Sequence, residues 1–282
     1  MSTIVVEQTG KSIGAQISGL APDELLKDES VVVTVTDALE ANGVLVFRDL
    51  NLDPKVQVAL CERMGEVDYS EGHHPVPGIY RVTRDAAKNS AAEYLKGTFH
   101  WHIDGCTPLH GEPPQRATML SAKAVAESGG DTEFASTYAA YENLPAEEKQ
   151  SLEGLKVIHQ LETSLRPVYL DPGEERLDRW RKMATVMTHP LVWTHPSGRK
   201  SLVIGTHADR VVGMGVADGR SLLVRLQEWA AQPAFTYRHY WQPGDLVVWD
   251  NCGVMHRVVP YDAKSGRTMH RTTIMGEERP AA

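Results

Sequence analysis

The apolar residues of this chain fall mainly into short runs that are bounded by glycine, proline, asparagine or aspartate. Short runs rich in valine, isoleucine and aromatic residues predict buried β-strands. A further stretch, 235–240, alternates between apolar and polar positions and is followed by turn residues at 242–245, so it is predicted to form a hairpin with the next run. The apolar runs are 43–48, 117–122, 191–193, 202–205 and 246–249.

Three stretches carry the spacing of helices. Asp53 and Pro54 are the cap and first-turn residues expected at a helix start, and apolar residues follow at helical spacing as far as Gly65. Residues 220–231 have leucines at the spacing of an amphipathic helix that packs on a core. Residues 138–155 also look helical, and their charges indicate a surface insert.

Many short strands between turns, with few strong helices, are typical of a jelly-roll barrel, or double-stranded β-helix, in which two sheets pack face to face. We therefore predict a mainly β fold with flanking helices. All-β barrels often reach this length as one unit, so residues 1–282 are interpreted as a single domain. The mixed charges of 163–185 predict a solvated insert in that domain.

Composition and charge limit the kinds of partner and the cellular location that we expect. The formal net charge of −8 argues against a nucleic-acid partner, because nucleic-acid binders usually present a basic face. The sequence has neither a secretory signal pattern nor an apolar run of about 18 residues, so we expect a cytoplasmic protein with no membrane partner. Cys61, Cys106 and Cys252 are odd in number and scattered, which predicts free thiols.

The segment 99–105 contains the strongest chemical signal, His102 and Asp104 two residues apart. On an extended strand both side chains would point the same way, roughly 6–7 Å apart along the backbone. His256, after a strand-like run, would add a second imidazole. Two histidines and one carboxylate on one face of a metal leave three positions open, as in non-heme Fe(II) oxygenases.

Two other interpretations compete with this one. His100 would lie on the same strand face, so His100, His102 and His256 could form a three-histidine centre of the cupin or zinc-hydrolase kind. A jelly roll that binds metal without catalysis is the third class. Formation of succinate from 2-oxoglutarate with Fe(II) and O2 would separate the three.

An ordered set of motifs gives the chain a family resemblance. His102 and Asp104 are followed by the segment 128–134, then by 249–251 with His256, and then by two arginines. In this order the chain resembles the Fe(II)/2-oxoglutarate-dependent dioxygenases of the taurine dioxygenase family, and within it the 2,4-dichlorophenoxyacetate dioxygenase branch. The resemblance extends over nearly the whole chain.

The resemblance implies a jelly roll and the cofactor Fe(II), with 2-oxoglutarate and O2 as co-substrates and succinate and CO2 as products. It also implies a helix over 30–42, although Val31, Val32 and Val33 favour a strand by propensity. Related halogenases replace the carboxylate ligand by a small residue, so the presence of Asp104 favours hydroxylation. We also expect a homo-oligomer.

The resemblance further implies roles for two residues toward 2-oxoglutarate. Thr132 matches the threonine that donates a hydrogen bond to the distal carboxylate. Arg267 would bind the same carboxylate as a bidentate, permanently charged partner. In this family a charged insert of this kind often covers the site as a lid, and the resemblance implies that role for 163–185.

Expectations for the substrate depend on the resemblance as well. Arg271 would contact an anionic group, a carboxylate in preference to a sulfonate; alternatively it doubles the 2-oxoglutarate anchor or pairs with an acidic residue. His74 and His207 are candidate pocket residues, and the alternatives are a solvated loop histidine and a packing histidine. Thr98 stands where the family often has a substrate-contacting asparagine, and Cys252 stands where arginine is usual. The particular substrate of a relative is therefore not transferred.

Overall fold

The computed structural model describes residues 4–9, 11–22, 24–70, 74–108 and 111–280. Its strands are β1 Val5–Gln8, β2 Ala15–Ser18, β3 Val44–Phe47, β4 Tyr80–Val82, β5 Ala117–Ala124, β6 Thr132–Ser136, β7 Lys156–His159, β8 Met187–Pro190, β9 Val192–Thr194, β10 Lys200–Leu202, β11 Ala208–Val211, β12 Thr236–His239, β13 Leu246–Asp250, β14 Val254–Val258 and β15 Thr268–Ile274. Its α-helices are α1 Glu29–Asn42, α2 Pro54–Met64, α3 Thr137–Glu142, α4 Ala146–Leu152, α5 Leu161–Leu165, α6 Gly173–Met183 and α7 Val216–Ala230. Short 3₁₀ helices cover Tyr94–Phe99, Arg166–Val168 and Pro233–Phe235.

Two sheets face each other across the barrel. Within the described residues the larger has seven strands in the order β1-β2-β3-β13-β5-β15-β4, and the smaller has the order β12-β6-β14. Neighbouring strands are antiparallel in both, except for the parallel pair β2 and β3. This arrangement confirms the prediction of a mainly β jelly roll with flanking helices.

Alternation along the large sheet separates an inner from an outer core. Residues at alternate positions pack between the two sheets, and those between them pack against α1 and α2. The inner side chains are Val44, Val46, Leu120, Ala122, Val247, Trp249 and Met269, together with Phe134 of the small sheet. The outer ones are Leu45, Phe47, Ala117, Met119, Leu246, Val248 and Ile274. The alternation of side chains along these strands therefore decides which of them reach the barrel interior.

Helix α1 forms in spite of its run of valines. Val31, Val32, Val35 and Leu39 are buried on one side of the helix. The propensity penalty of valine is below about 1 kcal/mol per residue, whereas full burial of such a side chain contributes about 1.5–3 kcal/mol, so packing outweighs propensity. The helix implied for 30–42 is confirmed.

The ends of α2 agree with the sequence signals. Asp53 accepts a hydrogen bond from the Lys55 N–H at 2.8 Å, and Gly65 follows the last helical residue. The helix predicted at 220–231 is also confirmed as part of α7.

The prediction of a surface insert at 138–155 was wrong for its first half. In α3, Tyr138, Ala139, Ala140 and Tyr141 are all buried. Ala139, Ala140 and Tyr141 belong to a core cluster that also contains Leu226 of α7. Within 138–155, the exposed, charged character that was expected belongs to α4.

The predicted hairpin over 235–249 was also wrong. Strand β12 pairs with β6 of the small sheet, whereas β13 pairs with β3 and β5 of the large sheet. The turn at 242–245 therefore carries the chain from one sheet to the other. Its fully buried Asp245 accepts hydrogen bonds from Arg48 Nη1, His239 and the Gln242 N–H, and these contacts hold the corner.

Residues 163–185 form the end of α5, a 3₁₀ turn and α6. Leu165, Leu177 and Trp180 make a small core of their own beneath exposed charges. Glu162 binds both Arg166 and Arg181. The role of this segment as a lid stays a prediction, as do the single-domain boundary, the homo-oligomeric state and the cytoplasmic location.

Two predictions about composition can be compared with the structure. Cys61, Cys106 and Cys252 are free thiols, as predicted. In the described part of the chain, every helix is too short or too polar to cross a bilayer.

Replacing Asp245 by alanine is expected to lower the free energy of unfolding by about 2–4 kcal/mol at neutral pH, because the buried His239 loses its acceptor and Arg48 loses its ion-pair partner. Hydrogen bonds hold the pKa of Asp245 below its ordinary value in spite of burial. Its contribution is therefore complete above the unfolded pKa and is lost as the pH falls through the folded pKa. Urea unfolding of the wild type and of Asp245→Ala at several pH values measures this, with the exposed Glu147→Ala as the control. Equal stabilities at pH 7 would contradict the assignment.

Candidate metal and co-substrate site

His102 and His256 form an isolated antiparallel backbone pair. The His102 N–H donates to the His256 carbonyl at 3.0 Å, and the His256 N–H donates to the His102 carbonyl at 2.9 Å. Residues directly opposite each other in such a pair have side chains on one face, and here the ring centroids are 4.1 Å apart. The pair joins the loop before β5 to β14 of the small sheet.

Asp104 reaches the same point from a turn. The segment 99–105 is not the extended strand that was predicted, because the chain turns at Asp104 and Gly105. Gly105 has φ of 78°, and an added Cβ would lie 2.3 Å from the Gln115 nitrogen, so only glycine fits this turn. The alternation predicted for a strand therefore does not explain how Asp104 joins the two histidines.

The three side chains still converge. One Asp104 oxygen is 3.7 Å from His102 Nε2, and the other is 3.7 Å from His256 Nε2. The potential ligand atoms of His102, Asp104 and His256 all lie within 4.8 Å of one another. Within the described residues, this group has the spacing and chemistry to hold one metal ion, and the His100 ring is not part of it. The three-histidine alternative is therefore not supported.

Hydrogen bonds orient the donor atoms. His102 Nδ1 donates to the His100 carbonyl at 2.9 Å, which leaves the Nε2 lone pair available to a metal. Thr118 donates its hydroxyl to Asp104 at 3.1 Å and accepts from the Asn251 amide at 3.0 Å. Thr118 was not singled out in the sequence, although Asn251 was part of the motif 249–251.

The protonation states suit metal binding. Burial by itself raises the pKa of Asp104, but the electrostatic fields of His256 and Arg271 outweigh it and lower the pKa to about 2. Burial and the neighbouring His102 lower the pKa of His256 to about 3. A carboxylate and a neutral imidazole are the forms that ligate a metal, so no proton has to leave these two groups at neutral pH.

Arg267 is a buried cation outside the metal-binding group. Arg267 is 2% exposed, its guanidinium lies 4.9 Å from the Tyr261 ring centre, and its Nη2 has no hydrogen-bond partner within the described residues. Gly130 leaves no space beside it, since an added Cβ would be 3.0 Å from the arginine side chain. Burial lowers the pKa of Arg267, yet a guanidinium stays charged. Such a group suits a bound anion.

Thr132 lies on β6 of the small sheet, two residues before the residue that pairs with His256. In the register of β6 and β14, Phe134 lies opposite His256 and Thr132 lies opposite Val258. Thr132 is buried, and its hydroxyl accepts a hydrogen bond from Trp241 at 2.9 Å. Its hydroxyl proton is therefore available to an acceptor.

Arg271 lies two residues after Met269 of the inner core along β15, so its side chain faces the barrel interior. Its guanidinium lies 4.8 Å from the Tyr80 ring centre. Its charge lowers the pKa of both Asp104 and His256, which indicates that it is near the metal-binding group. Neither tyrosine, Tyr80 nor Tyr261, carried a signal in the sequence.

The other candidate substrate residues have different surroundings. His74 Nδ1 accepts from the Val76 N–H at 3.0 Å, and its ring contacts His270, whose position on β15 faces away from the interior. The structure therefore does not bring His74 to the metal-binding group, and the adjacent His73 lies outside the described residues.

His207 is buried, and both of its ring nitrogens are in hydrogen bonds, one with the Ile103 N–H at 3.1 Å and one with His159 at 2.7 Å. The Thr98 hydroxyl donates to the Leu95 carbonyl at 2.7 Å within its 3₁₀ helix.

A jelly roll with two histidines and one carboxylate at the same point defines the class of non-heme, metal-dependent oxygenases. Residues 6–273 match the family "Taurine catabolism dioxygenase TauD, TfdA family", and the chain belongs to this family. It is a 2-oxoglutarate-dependent dioxygenase, and enzymes of this kind use Fe(II), 2-oxoglutarate and O2.

Individual relatives agree with this placement. The chain is 36% identical over 257 residues to an alpha-ketoglutarate-dependent 2,4-dichlorophenoxyacetate dioxygenase of Burkholderia sp. (strain RASC), covering 86% of this chain and 84% of the relative. It is 31% identical over 277 residues to an alpha-ketoglutarate-dependent sulfate ester dioxygenase of Pseudomonas putida, covering 94% and 87%. Among solved structures, AAD-2 in complex with Mn(II) and N-oxalylglycine has a TM-score of 0.83 and 33% identity, covering 99% of this chain and 100% of that one.

Replacing any one of His102, Asp104 and His256 by alanine is expected to weaken metal binding by at least about 100-fold, because each supplies one of three donor atoms. His100→Ala, a change two residues from His102, should bind metal nearly as the wild type does. Calorimetric titration of each metal-free protein with Mn(II) measures the affinities. Unchanged binding by Asp104→Ala, or loss of binding in His100→Ala, would contradict the assignment.

Proposed function

We propose that this dioxygenase hydroxylates a small anionic organic substrate, with His102, Asp104 and His256 as the ligands of Fe(II). Arg267 and Thr132 bind the distal carboxylate of 2-oxoglutarate, and Arg271 binds the anionic group of the substrate. The observation that carries the proposal is the buried guanidinium of Arg267, with Nη2 lacking a partner within the described residues, in a barrel that also holds the metal-binding group.

The chemistry of the donor set fits Fe(II). The two imidazoles of His102 and His256 and the carboxylate of Asp104 would hold the ion through nitrogen and oxygen donors of intermediate hardness. When bound, Fe(II) supplies the redox chemistry that couples oxidative decarboxylation of 2-oxoglutarate to hydroxylation. Overall, one oxygen atom of O2 enters succinate and the other enters the new hydroxyl group of the substrate, with release of CO2.

The protein side chains position the reactants. The Thr118 hydroxyl holds one Asp104 oxygen, so the carboxylate keeps its orientation. Arg267 forms charge-assisted bonds to the far end of 2-oxoglutarate, while the Thr132 hydroxyl accepts from Trp241 and donates its own proton to the same carboxylate.

Arg271 supports an anionic substrate. It faces the barrel interior, and its charge acts on Asp104 and His256. The names of two relatives include a phenoxyacetate and a sulfate ester, both organic molecules with one anionic group. We favour a carboxylate, because the relative named for a phenoxyacetate has the higher identity of the two, 36% against 31%. Thr98 remains a candidate substrate residue, whereas His74 lies away from the metal-binding group.

Arg267→Ala is expected to raise the dissociation constant for 2-oxoglutarate about 10- to 100-fold, because charge-assisted hydrogen bonds to a buried site are lost. Arg267→Lys should recover only part of the affinity, since an ammonium cannot reproduce the bidentate geometry. The measurement is calorimetric titration with 2-oxoglutarate in the presence of Mn(II). Arg225→Ala, a change at an exposed arginine of α7, is the control and should bind normally. Equal affinities of the wild type and Arg267→Ala for 2-oxoglutarate would indicate that Arg271, and not Arg267, binds its distal carboxylate.

Arg271→Ala is expected to raise the KM for a carboxylate substrate at least about tenfold and to leave the affinity for 2-oxoglutarate nearly unchanged. A panel of carboxylates, sulfonates, sulfate esters and neutral analogues, each tested for stimulated succinate release, identifies the class. Stimulation by neutral compounds alone, unaffected by Arg271→Ala, would refute an anionic substrate. A large loss of 2-oxoglutarate affinity in Arg271→Ala would instead indicate a second anchor for the co-substrate.

A further inference from the structure

The residues that follow β10 lie directly against the backbone of the metal-binding turn. The Thr206 N–H donates to the Trp101 carbonyl at 2.7 Å. Gly205 has φ of 138°, and an added Cβ would lie 3.0 Å from the Trp101 carbonyl oxygen and 3.2 Å from His102 Cα. The two backbones are in contact, with no room for a side chain between them, so 205–207 can determine where His102 lies.

His207 extends this contact to the peptide between the two candidate ligands. Its Nε2 accepts the Ile103 N–H at 3.1 Å, and Ile103 lies between His102 and Asp104. One peptide orientation therefore affects both ligands at once. At the other end of the turn, His189 Nε2 donates to the Cys106 carbonyl at 2.9 Å. Imidazoles thus hold the turn on both sides of Asp104.

The hydrogen bonds also determine the tautomer of His207. A backbone N–H can only donate, so Nε2 must carry the lone pair and the ring proton must be on Nδ1. That proton is directed at His159 Nδ1, 2.7 Å away. His159 is fully buried and accepts through Nδ1, so its own proton is on Nε2. Burial lowers the pKa of His207 to about 3, in agreement with a neutral ring.

We infer that His207 is a positioning residue for the metal-binding turn and that His159 holds it in the Nδ1–H tautomer. The acceptor at Nε2 keeps the Ile103 peptide oriented so that His102 and Asp104 face the same metal. This role replaces the substrate contact expected from the sequence, since both ring nitrogens are already in use. The inference rests on the proposed metal ligands.

Matched substitutions separate the hydrogen bonds from packing. In His207→Gln the amide oxygen can take the place of Nε2 as acceptor for the Ile103 N–H, whereas His207→Leu has similar bulk and no acceptor. In His159→Asn the amide oxygen can take the place of Nδ1, whereas His159→Leu cannot hold the His207 proton. We expect Mn(II) affinity to fall about 10- to 100-fold in both leucine variants and to stay within about threefold of wild type in the amide variants. Calorimetric titration with Mn(II) measures this, and thermal unfolding of the metal-free proteins verifies that each is folded.

Unchanged Mn(II) affinity in a folded His207→Leu would overturn the inference, as would an equal loss in His207→Gln and His207→Leu. A change confined to the substrate KM of His207→Gln would instead support a substrate role and also overturn it. If Asp104→Ala loses metal but His207→Leu does not, the proposed function stands and this inference alone fails. If Asp104→Ala retains metal, the proposed site itself fails.

A measurement on the wild type does not depend on whether the variants fold. Long-range proton–nitrogen correlation spectra of metal-free protein labelled with ¹⁵N-histidine distinguish the two neutral tautomers. We expect the His207 signal, assigned by its absence in His207→Gln, to have the pattern of a ring protonated at Nδ1. The pattern of Nε2 protonation would overturn the inference.

Discussion

The backbone pair between His102 and His256 is the contact on which the site depends. It is a single antiparallel bridge, and it joins a loop to the small sheet at the place where both imidazoles can share a metal. Asp104 is held from the opposite side, because its carboxylate accepts from Thr118 on the large sheet. The three candidate ligands therefore link the two sheets of the barrel. Any change in how the sheets pack would alter the distances among the donor atoms.

The interior of this acidic protein holds two arginines. The formal net charge is −8, yet Arg267 is buried and Arg271 faces the inner side of β15. Placing a cation in a low-dielectric interior costs free energy unless an opposite charge accompanies it. Asp104 supplies one negative charge near Arg271, and the buried position of Arg267 suits an anionic co-substrate. Electrostatic attraction of anions is thus local to the barrel, while the surface carries the negative charge that favours solubility.

Much of the fold and part of the site were predictable from local sequence. Strands β3, β5 and β13 follow from apolar runs between turn residues, and the ends of α2 follow from Asp53 and Gly65, because these signals act within a few residues. His102, Asp104 and His256 were identified by residue type and order. The geometry assumed for Asp104 was wrong, since a strand was expected where Gly105 makes a turn.

What only the tertiary structure decided involves residues far apart in the chain. Whether β12 and β13 form a hairpin or belong to different sheets depends on their partners β6, β3 and β5, which no local pattern specifies. The sequence made His207 a candidate pocket residue, whereas its contacts with Ile103 and His159 are formed only in the folded chain. By itself the sequence determined which residues are chemically able to bind a metal and an anion, because that ability belongs to each side chain. Which of them meet, and which instead orient another residue, was decided by packing between distant segments.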